Sequence, residues 1–296
     1  TIFFLITISP IFIWNYQNDW MSFKFQSADR AGSISKFQLT PKYFFGNLGT
    51  QILILLPVLF TAMVIILYKI AKKYITKRAL PDNKKLFLLT FSIPIIVFFT
   101  SLSLFYWVKL NWIMPGYIAA IILVSNYLTT KLLKSQLIIS LIFHLLFLFQ
   151  VVFYPVNLKT DDTWYGWKAL SDQVKYLKDN CSDCFIFSKD NYKTSAILNF
   201  YLDENIYAGN VVGENALQFS VIYKDLSNLK GKNALFLDSD KKLKTLNKSN
   251  KIPEELIPYF DKIIELNPIL IKNKSGKTLR KFYVYTCINY KPKPNK

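Results

Sequence analysis

The sequence predicts a multi-pass α-helical membrane region followed by a small extracytoplasmic α/β domain. Hydrophobic residues make up 52% of the 296 positions, and the formal charge is +18, a combination that ordinary soluble domains do not show. Residues 1–154 hold only three of the 19 acids, at Asp19, Asp29 and Asp82. Residues 155–296 hold the others and have a globular composition. The boundary between the two regions is therefore placed near Pro155.

Long apolar runs predict the membrane-spanning helices. A bilayer core about 30 Å thick needs about 20 apolar helical residues. Four segments approach this length: Gln51 to Ile70, Leu86 to Val108, Trp112 to Leu128, and Gln136 to Tyr154. Ile2 to Ile13 is apolar too, but it lacks the basic start and cleavage site of a signal peptide. We expect it to end a helix that begins before Thr1, which gives about five passes in the C-terminal part of a longer protein.

The basic residues of the short loops predict the orientation, because Lys and Arg stay on the cytoplasmic side. Seven of them lie between Lys69 and Lys85, and Lys131 and Lys134 follow two helices later. These loops are assigned to the inside. The outer loop 14–50, the turn at Lys109 and everything after Tyr154 then lie outside, in a cell (plasma or inner) membrane protein.

The second half alternates helix and strand patterns. Apolar residues at helical spacing begin at Trp167, and further helical and strand patterns predict a small α/β domain. The strands are expected at 185–187, 234–237 and 281–285, and a second helix at 192–202. The stretch from Lys189 to Tyr192 has two interpretations, an acceptor contact or a helix N-cap at Asp190 or Asn191.

Candidate metal and redox residues are few. Cys181 and Cys184 lack the second pair of a zinc site, so they are interpreted as small turn residues or a local disulfide, with metal or redox chemistry as the alternative. Cys287 is expected to be buried and inert. The single histidine, His144, is interpreted as a packed, hydrogen-bonded residue, with a proton relay as the alternative. We predict no cofactor and no metal.

Amides and aromatic residues are interleaved from Trp14 to Gln26, directly after the first apolar run. Such a set can bind a sugar, because amides pair with hydroxyls while aromatic rings stack on the sugar's C–H faces. Trp and Tyr also form interfacial belts in membrane proteins of any function. The residues alone leave both interpretations open.

A cation and an amide lie in the outer turn that begins at Lys109. Asn111 and Trp112 follow it, and Pro115 and Gly116 loosen the start of the next helix. A lysine in this place can bind a lipid phosphate as a point charge. The alternative is a lysine that snorkels to the headgroups.

These two stretches resemble a known family. "PIFIWNYQNDWMSFKFQ" and "KLNWIMPGY" are similar to bacterial membrane glycosyltransferases of family 39, which are related to the dolichyl-phosphate-mannose protein mannosyltransferases and to the lipid A aminoarabinose transferase. The likeness continues in "GWKALSDQVKYLKD", "FIFSKDNYKTSAILNFYL" and "GKNALFL". It covers the chain to about residue 240, and the order and spacing of the motifs are more specific than any one of them.

The resemblance implies a GT-C architecture that moves a sugar from a polyprenyl-phosphate-linked donor to an extracytoplasmic lipid, glycan or protein acceptor. The family's catalytic aspartate lies in an earlier outer loop, so it is expected upstream of Thr1, and Asp19 does not replace it. By position in the family's motifs, the residues implied in donor binding are Asn15, Gln17, Trp20, Phe23, Gln26, Lys109, Asn111 and Trp112. The partners implied are this donor, the acceptor and membrane lipids.

Two other classes compete with the enzyme. One is a membrane receptor or assembly protein with a ligand-binding outer domain, although five helices exceed what an anchor needs. The other is a transporter, which would carry more polar groups at mid-membrane depth. No phosphate-binding glycine motif is present, and the basic residues lie in membrane loops, so neither a nucleotide donor nor nucleic acid is predicted.

Overall fold

The structure is a computed structural model that describes residues 2–25, 27, 38–78, 80–156, 164–190, 192–240, 243 and 245–292. The chain forms two compact units, Thr1–Phe149 and Gln150–Lys296. The first unit is helical, and the second is built around a mixed β-sheet. The two kinds of composition in the sequence therefore correspond to two kinds of structure.

The helices that the first unit contributes are apolar along most of their length. They are α1 (Ile2–Gln17), the short α2 (Met21–Lys24), α3 (Pro41–Lys77), α4 (Asn83–Leu102), α5 (Leu110–Ser125) and α6 (Thr130–Phe153). Of these, α3, α4 and α6 are long and apolar enough to cross a membrane, whereas α1 and α5 are shorter. This result supports a membrane protein with a helical region.

Much of the predicted outer loop 14–50 is helical. Helix α1 continues to Gln17, and α3 begins at Pro41 rather than near Gln51. Proline is favoured in the first turn of a helix, where no N–H is needed. The apolar run used for prediction starts later than the helix because the first turns of α3 are polar and aromatic.

Helix α5 is the buried centre of this unit. Its residues Ile113, Ala120 and Val124 are fully enclosed. Gly116 allows α4 to approach closely, since a Cβ atom there would lie only 3.0 Å from the Ile96 side chain and 3.1 Å from the Ser92 carbonyl. Small residues at such crossings are typical of helices that pack in membranes. Gly116 therefore serves helix packing.

Helix α6 packs differently, because none of its residues is buried. His144 is exposed, and its Nδ1 donates to the Ser140 carbonyl oxygen one turn earlier, at 2.7 Å. The prediction of a packed histidine is wrong, while its hydrogen bond is confirmed. The apolar run around His144 predicted a packed environment, but in the structure none of the residues of α6 is buried.

The second unit has a mixed sheet in the order β2-β1-β3-β6-β4, and β5 also pairs with β6. Its strands are β1 (Cys184–Ser188), β2 (Ile206–Tyr207), β3 (Asn233–Ser239), β4 (Phe260–Glu265), β5 (Ile269–Lys272) and β6 (Thr278–Tyr290). Strand β1 pairs in parallel with β2 and β3, whereas β6 is antiparallel to β3, β4 and β5. The α/β prediction is confirmed for this unit.

Both faces of the sheet are covered. Helices α7 (Trp167–Asp179) and α8 (Lys193–Leu202) supply Leu170, Val174 and Leu198 to a core that includes Ile186. The opposite face carries Phe185 and Phe187 in a second, aromatic-rich core, beside the short helix α9 (Gln218–Ile222) and the 3₁₀ turns 209–212, 227–229 and 254–256. Burial on both faces explains why β1 is a continuous apolar run.

Two of the three cysteines are paired in a disulfide, and the third is a free thiol. Cys181 and Cys184 form a disulfide with a Cα–Cα distance of 5.6 Å, which links the turn after α7 to the first residue of β1. The structure agrees with the interpretation of these two residues as a local disulfide. Cys287 is fully buried, as predicted, and burial raises the pKa of its thiol to about 12. A thiol with that pKa stays protonated and unreactive near neutral pH.

Candidate functional site

A cavity of about 590 Å³ lies at one end of the helical unit. Its walls come from the first turns of α3 and from the segment that leads into α5. The lining residues are Lys42, Tyr43, Gly46, Asn47, Thr50, Trp107, Val108, Lys109 and Leu110. Lys109 is the residue that the sequence singled out for lipid phosphate, and the structure surrounds it with groups that are distant in sequence.

Backbone contacts bring the two walls together. The Thr40 N–H, immediately before α3, donates to the Leu104 carbonyl oxygen at 2.7 Å. Leu104 follows α4, and the chain then runs through Val108 to the start of α5. The side chain of Asn47 adds a longer contact from its Nδ2 to the Val108 carbonyl, at 3.5 Å. The start of α3 is thus fixed against the α4–α5 connection.

The cavity has a positive electrostatic character. Lys42 and Lys109 line it, and neither forms an ion pair with any residue that the structure describes. Helices α3 and α5 also both begin there, so the positive ends of their dipoles lie near the cavity. Two lysines and two helix N-termini favour an anion, above all a phosphate.

Aromatic rings lie beside these cations. The Tyr43 and Trp107 rings pack with centroids 6.0 Å apart. Trp107 keeps 68% of its surface exposed. An exposed indole beside a phosphate-binding surface can cover a prenyl chain or the apolar face of a sugar.

A chain of hydrogen bonds between buried polar side chains, here called the relay, lies next to the cavity. The Tyr117 hydroxyl donates to Gln51 Oε1, and Gln51 Nε2 donates to Asn47 Oδ1. Gln51 Nε2 also lies 3.4 Å from Thr100 Oγ1. Because Gln51 and Tyr117 are both almost fully enclosed, the relay holds the Asn47 amide oxygen inward and leaves its NH₂ group toward Val108 and the cavity.

Removing the centre of this relay is expected to destabilise the helical unit. Gln51→Leu leaves the Tyr117 hydroxyl and the Asn47 amide oxygen without their buried partner, which costs about 1–2 kcal/mol. The matched control is Thr50→Val, since the Thr50 hydroxyl donates to the Gly46 carbonyl within its own helix and has no part in the relay. Thermal unfolding in detergent should show a lower Tm for Gln51→Leu alone, and equal Tm values for both variants would exclude the relay as a stabilising contact.

Asn15 has a structural place at the end of α1. Its Nδ2 donates to the Ile11 carbonyl at 2.9 Å, and its Oδ1 accepts from the Ser22 N–H at 3.1 Å. Only 1% of its surface is exposed. Its amide therefore fixes the turn from α1 into α2.

The aromatic residues of this turn form an exposed cluster. Trp20 and Phe23 have ring centroids 5.6 Å apart, and Phe23 stacks on Phe12 at 6.1 Å. Trp20 has a positive φ of 55°, and it remains 42% exposed. Rings in this setting suit an interfacial belt as well as a sugar face.

The remaining predicted residues lie at the end of α1 and in the first turn of α5, apart from one that the structure does not describe. Gln17 is the exposed last residue of α1, and Asn111 is exposed in the first turn of α5. Trp112 is half-buried between Phe99 and Tyr106, with ring centroids 5.7 and 6.1 Å away. Gln26 lies outside the described residues. Of the predicted site residues that the structure describes, only Lys109 lines the cavity.

Lys42, Asn47 and Trp107 are the cavity residues that sequence reasoning missed. Lys42 and Asn47 fell in the predicted outer loop, and Trp107 fell inside a predicted membrane span. A lysine next to a proline at a helix start is a weak signal alone. Only the contact between residues 40 and 104 shows that this lysine belongs with Lys109.

In the α/β unit, charged residues that follow β1 meet one from β3 and one from the 3₁₀ turn 254–256. Lys189 Nζ lies 2.6 Å from Glu255 Oε1 and 3.7 Å from Asp238 Oδ2. Burial raises the pKa of the Asp238 carboxyl, and Lys189 only partly offsets this effect. The N-cap position of α8 is Tyr192, so the predicted N-cap is misplaced, but Asp190 Oδ2 accepts from the first-turn Thr194 N–H at 2.9 Å and thus has a capping role. These charges are neutralised within the unit, so they favour a structural role.

Comparisons with protein-family models, with curated proteins and with solved structures find no match to this chain. Among the described residues, no group of three or more His, Cys, Asp or Glu side chains is placed to hold a metal ion. The family resemblance of the sequence motifs therefore stays a prediction.

Proposed function

We propose that this chain belongs to a membrane glycosyltransferase that takes a sugar from a polyprenyl-phosphate-linked donor and transfers it to an extracytoplasmic lipid, glycan or protein. The observation that carries the proposal is the cavity that Lys42 and Lys109 line together. Its two lysines and two helix starts suit the donor's phosphate, and the exposed ring of Trp107 suits an apolar part of the donor.

The reaction we infer is an inverting displacement at the sugar's anomeric carbon. A carboxylate base removes the proton of the acceptor hydroxyl, whose oxygen then forms the new glycosidic bond. The bond between the anomeric carbon and the phosphate oxygen breaks, and the polyprenyl phosphate leaves with the bonding electrons. Lys42 and Lys109 stabilise the charge that develops on this leaving group. We assign the role of this base to none of this chain's carboxylates.

The topology we propose has five membrane passes, α1 and α3 to α6. The loop that contains Lys69 and Lys85 faces the cytoplasm, while the start of α3, the turn at Lys109 and the α/β unit lie outside in a cell membrane protein. The Thr40–Leu104 hydrogen bond supports placing the first two on one side. The Cys181–Cys184 disulfide supports an extracytoplasmic α/β unit, since disulfides persist mainly in oxidising compartments.

Thiol labelling of intact cells tests this orientation. With a membrane-impermeant maleimide, we expect no labelling of the native protein and labelling at Cys181 and Cys184 after an impermeant reductant. Cys287 is the internal control, because it is fully buried and should react only after denaturation. Labelling of Cys181 and Cys184 only after cell lysis would contradict an outer location, whereas labelling of intact cells without a reductant would contradict the disulfide instead.

The function itself is tested by sugar release from the lipid phosphate. In the protein at its natural length, Lys109→Ala should slow release of labelled sugar from a polyprenyl-phosphate donor by about 10-fold, since one charge-assisted contact to phosphate is lost. The control is Lys131→Ala, an exposed lysine at the start of α6. If turnover and donor affinity are both unchanged in Lys109→Ala, Lys109 has no part in the site.

A further inference from the structure

Helix α3 is broken near its middle. Leu56 has φ 62° and ψ 154°, far from helical values, and Pro57 follows it. Proline cannot donate the N–H of a regular helix, and its ring disfavours a helical residue before it. The break therefore follows from the sequence, and it separates the half that carries Lys42 and Asn47 from the half that ends at Lys77.

A side chain from α6 fills the break. In an unbroken helix, the Leu59 N–H would donate to the Leu55 carbonyl. Here the Leu59 N–H donates to Gln136 Oε1 at 3.1 Å, while Gln136 Nε2 donates to the Leu55 carbonyl at 3.0 Å. One amide thus bridges the donor and the acceptor that a regular turn would have joined.

The bridge pairs backbone groups that lie in a buried part of α3. Leu55 and Leu56 are 5% and 6% exposed, so water has little access to the separated backbone groups. Non-helical backbone inside a membrane needs such partners, which side chains of neighbouring helices provide. Glutamine fits the task because its amide has both a donor and an acceptor. The contact is notable on α6, which has no buried residue.

We propose that Gln136 is a positioning residue that holds α3 in its broken form and thereby sets where Lys42 and Asn47 stand in the cavity. The break and its bridge are independent of the proposed function, and only the consequence for lipid phosphate rests on it. Without the amide, the two half-helices lose the group that links them, and the half bearing Lys42 loses its fixed direction relative to Lys109.

A double-mutant cycle in thermal stability tests the bridge. Gln136→Leu should lower Tm in detergent by about 3 °C, because it removes both the donor and the acceptor of the bridge. In a Pro57→Ala background the Leu59 N–H can bond the Leu55 carbonyl directly, so Gln136→Leu should then change Tm little. The control on the same helix is Leu137→Ala, whose side chain is 68% exposed.

Cross-linking tests the positioning without any ligand. A Lys42→Cys/Lys109→Cys protein is treated with a short bismaleimide, while the native cysteines are paired or buried. We expect efficient cross-linking, and a several-fold loss of yield when Gln136→Leu or Pro57→Ala is added, because α3 changes direction in both. Leu137→Ala should keep the yield.

Each outcome decides the proposal. An equal Tm loss from Gln136→Leu in both backgrounds overturns the bridge, and a cross-linking yield that Gln136→Leu leaves unchanged overturns the positioning role. If the glycosyltransferase assignment is wrong but the bridge is right, the protein will neither bind nor use prenyl phosphates. The double-mutant cycle and the cross-linking will then still give the expected results.

Discussion

The double substitution Lys42→Ala/Lys109→Ala is expected to lower the affinity for a short-chain prenyl phosphate by about 100-fold or more. Each lysine offers the phosphate a charge-assisted hydrogen bond worth about 1.5–3 kcal/mol, and about 1.4 kcal/mol corresponds to a factor of ten. Both side chains line one cavity and would share the phosphate, so their losses are coupled, and the expected effect is set near the sum of the two smallest values. Binding to protein in nanodiscs, measured by microscale thermophoresis, gives the dissociation constants.

The matched control for this experiment lies on the same helix. Lys72→Ala removes the same charge from the other end of α3, where the side chain is exposed. It should leave the affinity within about twofold of the wild type, since a distant exposed charge is largely screened by salt. An equal loss in Lys72→Ala would mean that overall positive charge, rather than this cavity, attracts the phosphate.

The second large effect is expected in the α/β unit. Phe187 is fully buried, and its ring lies 4.9 Å from that of Phe236 and 5.9 Å from that of Phe260. Phe187→Ala removes a central ring and leaves a cavity between the sheet and its aromatic-rich core, which lowers the free energy of unfolding by about 3–5 kcal/mol. Denaturant unfolding of the full chain, followed by near-UV circular dichroism, measures the loss.

An exposed phenylalanine provides the control. Phe200 lies on α8 with 80% of its surface exposed, so Phe200→Ala should change the free energy of unfolding by less than about 0.5 kcal/mol. A small loss in Phe187→Ala would show that the aromatic side of the sheet does not hold the unit together.

The elements that the sequence predicted are those with a strong local signal. The strand at 185–187 lies within β1, and the helix at 192–202 corresponds to α8. Strands β2, β4 and β5 were missed. Strands β2 and β5 have only two and four residues, too few to show a clear period, and Lys262 interrupts the apolar pattern of β4. The break in α3 was missed too, since Leu56 and Pro57 lie within an apolar run.

The candidate site was predictable only in part, for a physical reason. Lys109 is recognisable as a cation in a turn between two apolar segments. Its partner Lys42 lies 67 positions earlier, and only tertiary contacts bring the two to one cavity. Asn15 shows the converse, since an amide that looks available in the sequence is used by the Ile11 and Ser22 backbone groups.

Photo-cross-linking tests the central claim most directly. A prenyl phosphate carrying a diazirine close to its phosphate is bound to the protein in nanodiscs, irradiated, and located by peptide mass spectrometry. We predict labelling within residues 41–50 and 104–110, which unlabelled prenyl phosphate suppresses and the corresponding prenyl alcohol does not. Labelling confined to other segments, or equal competition by the alcohol, would contradict a phosphate site formed by Lys42 and Lys109.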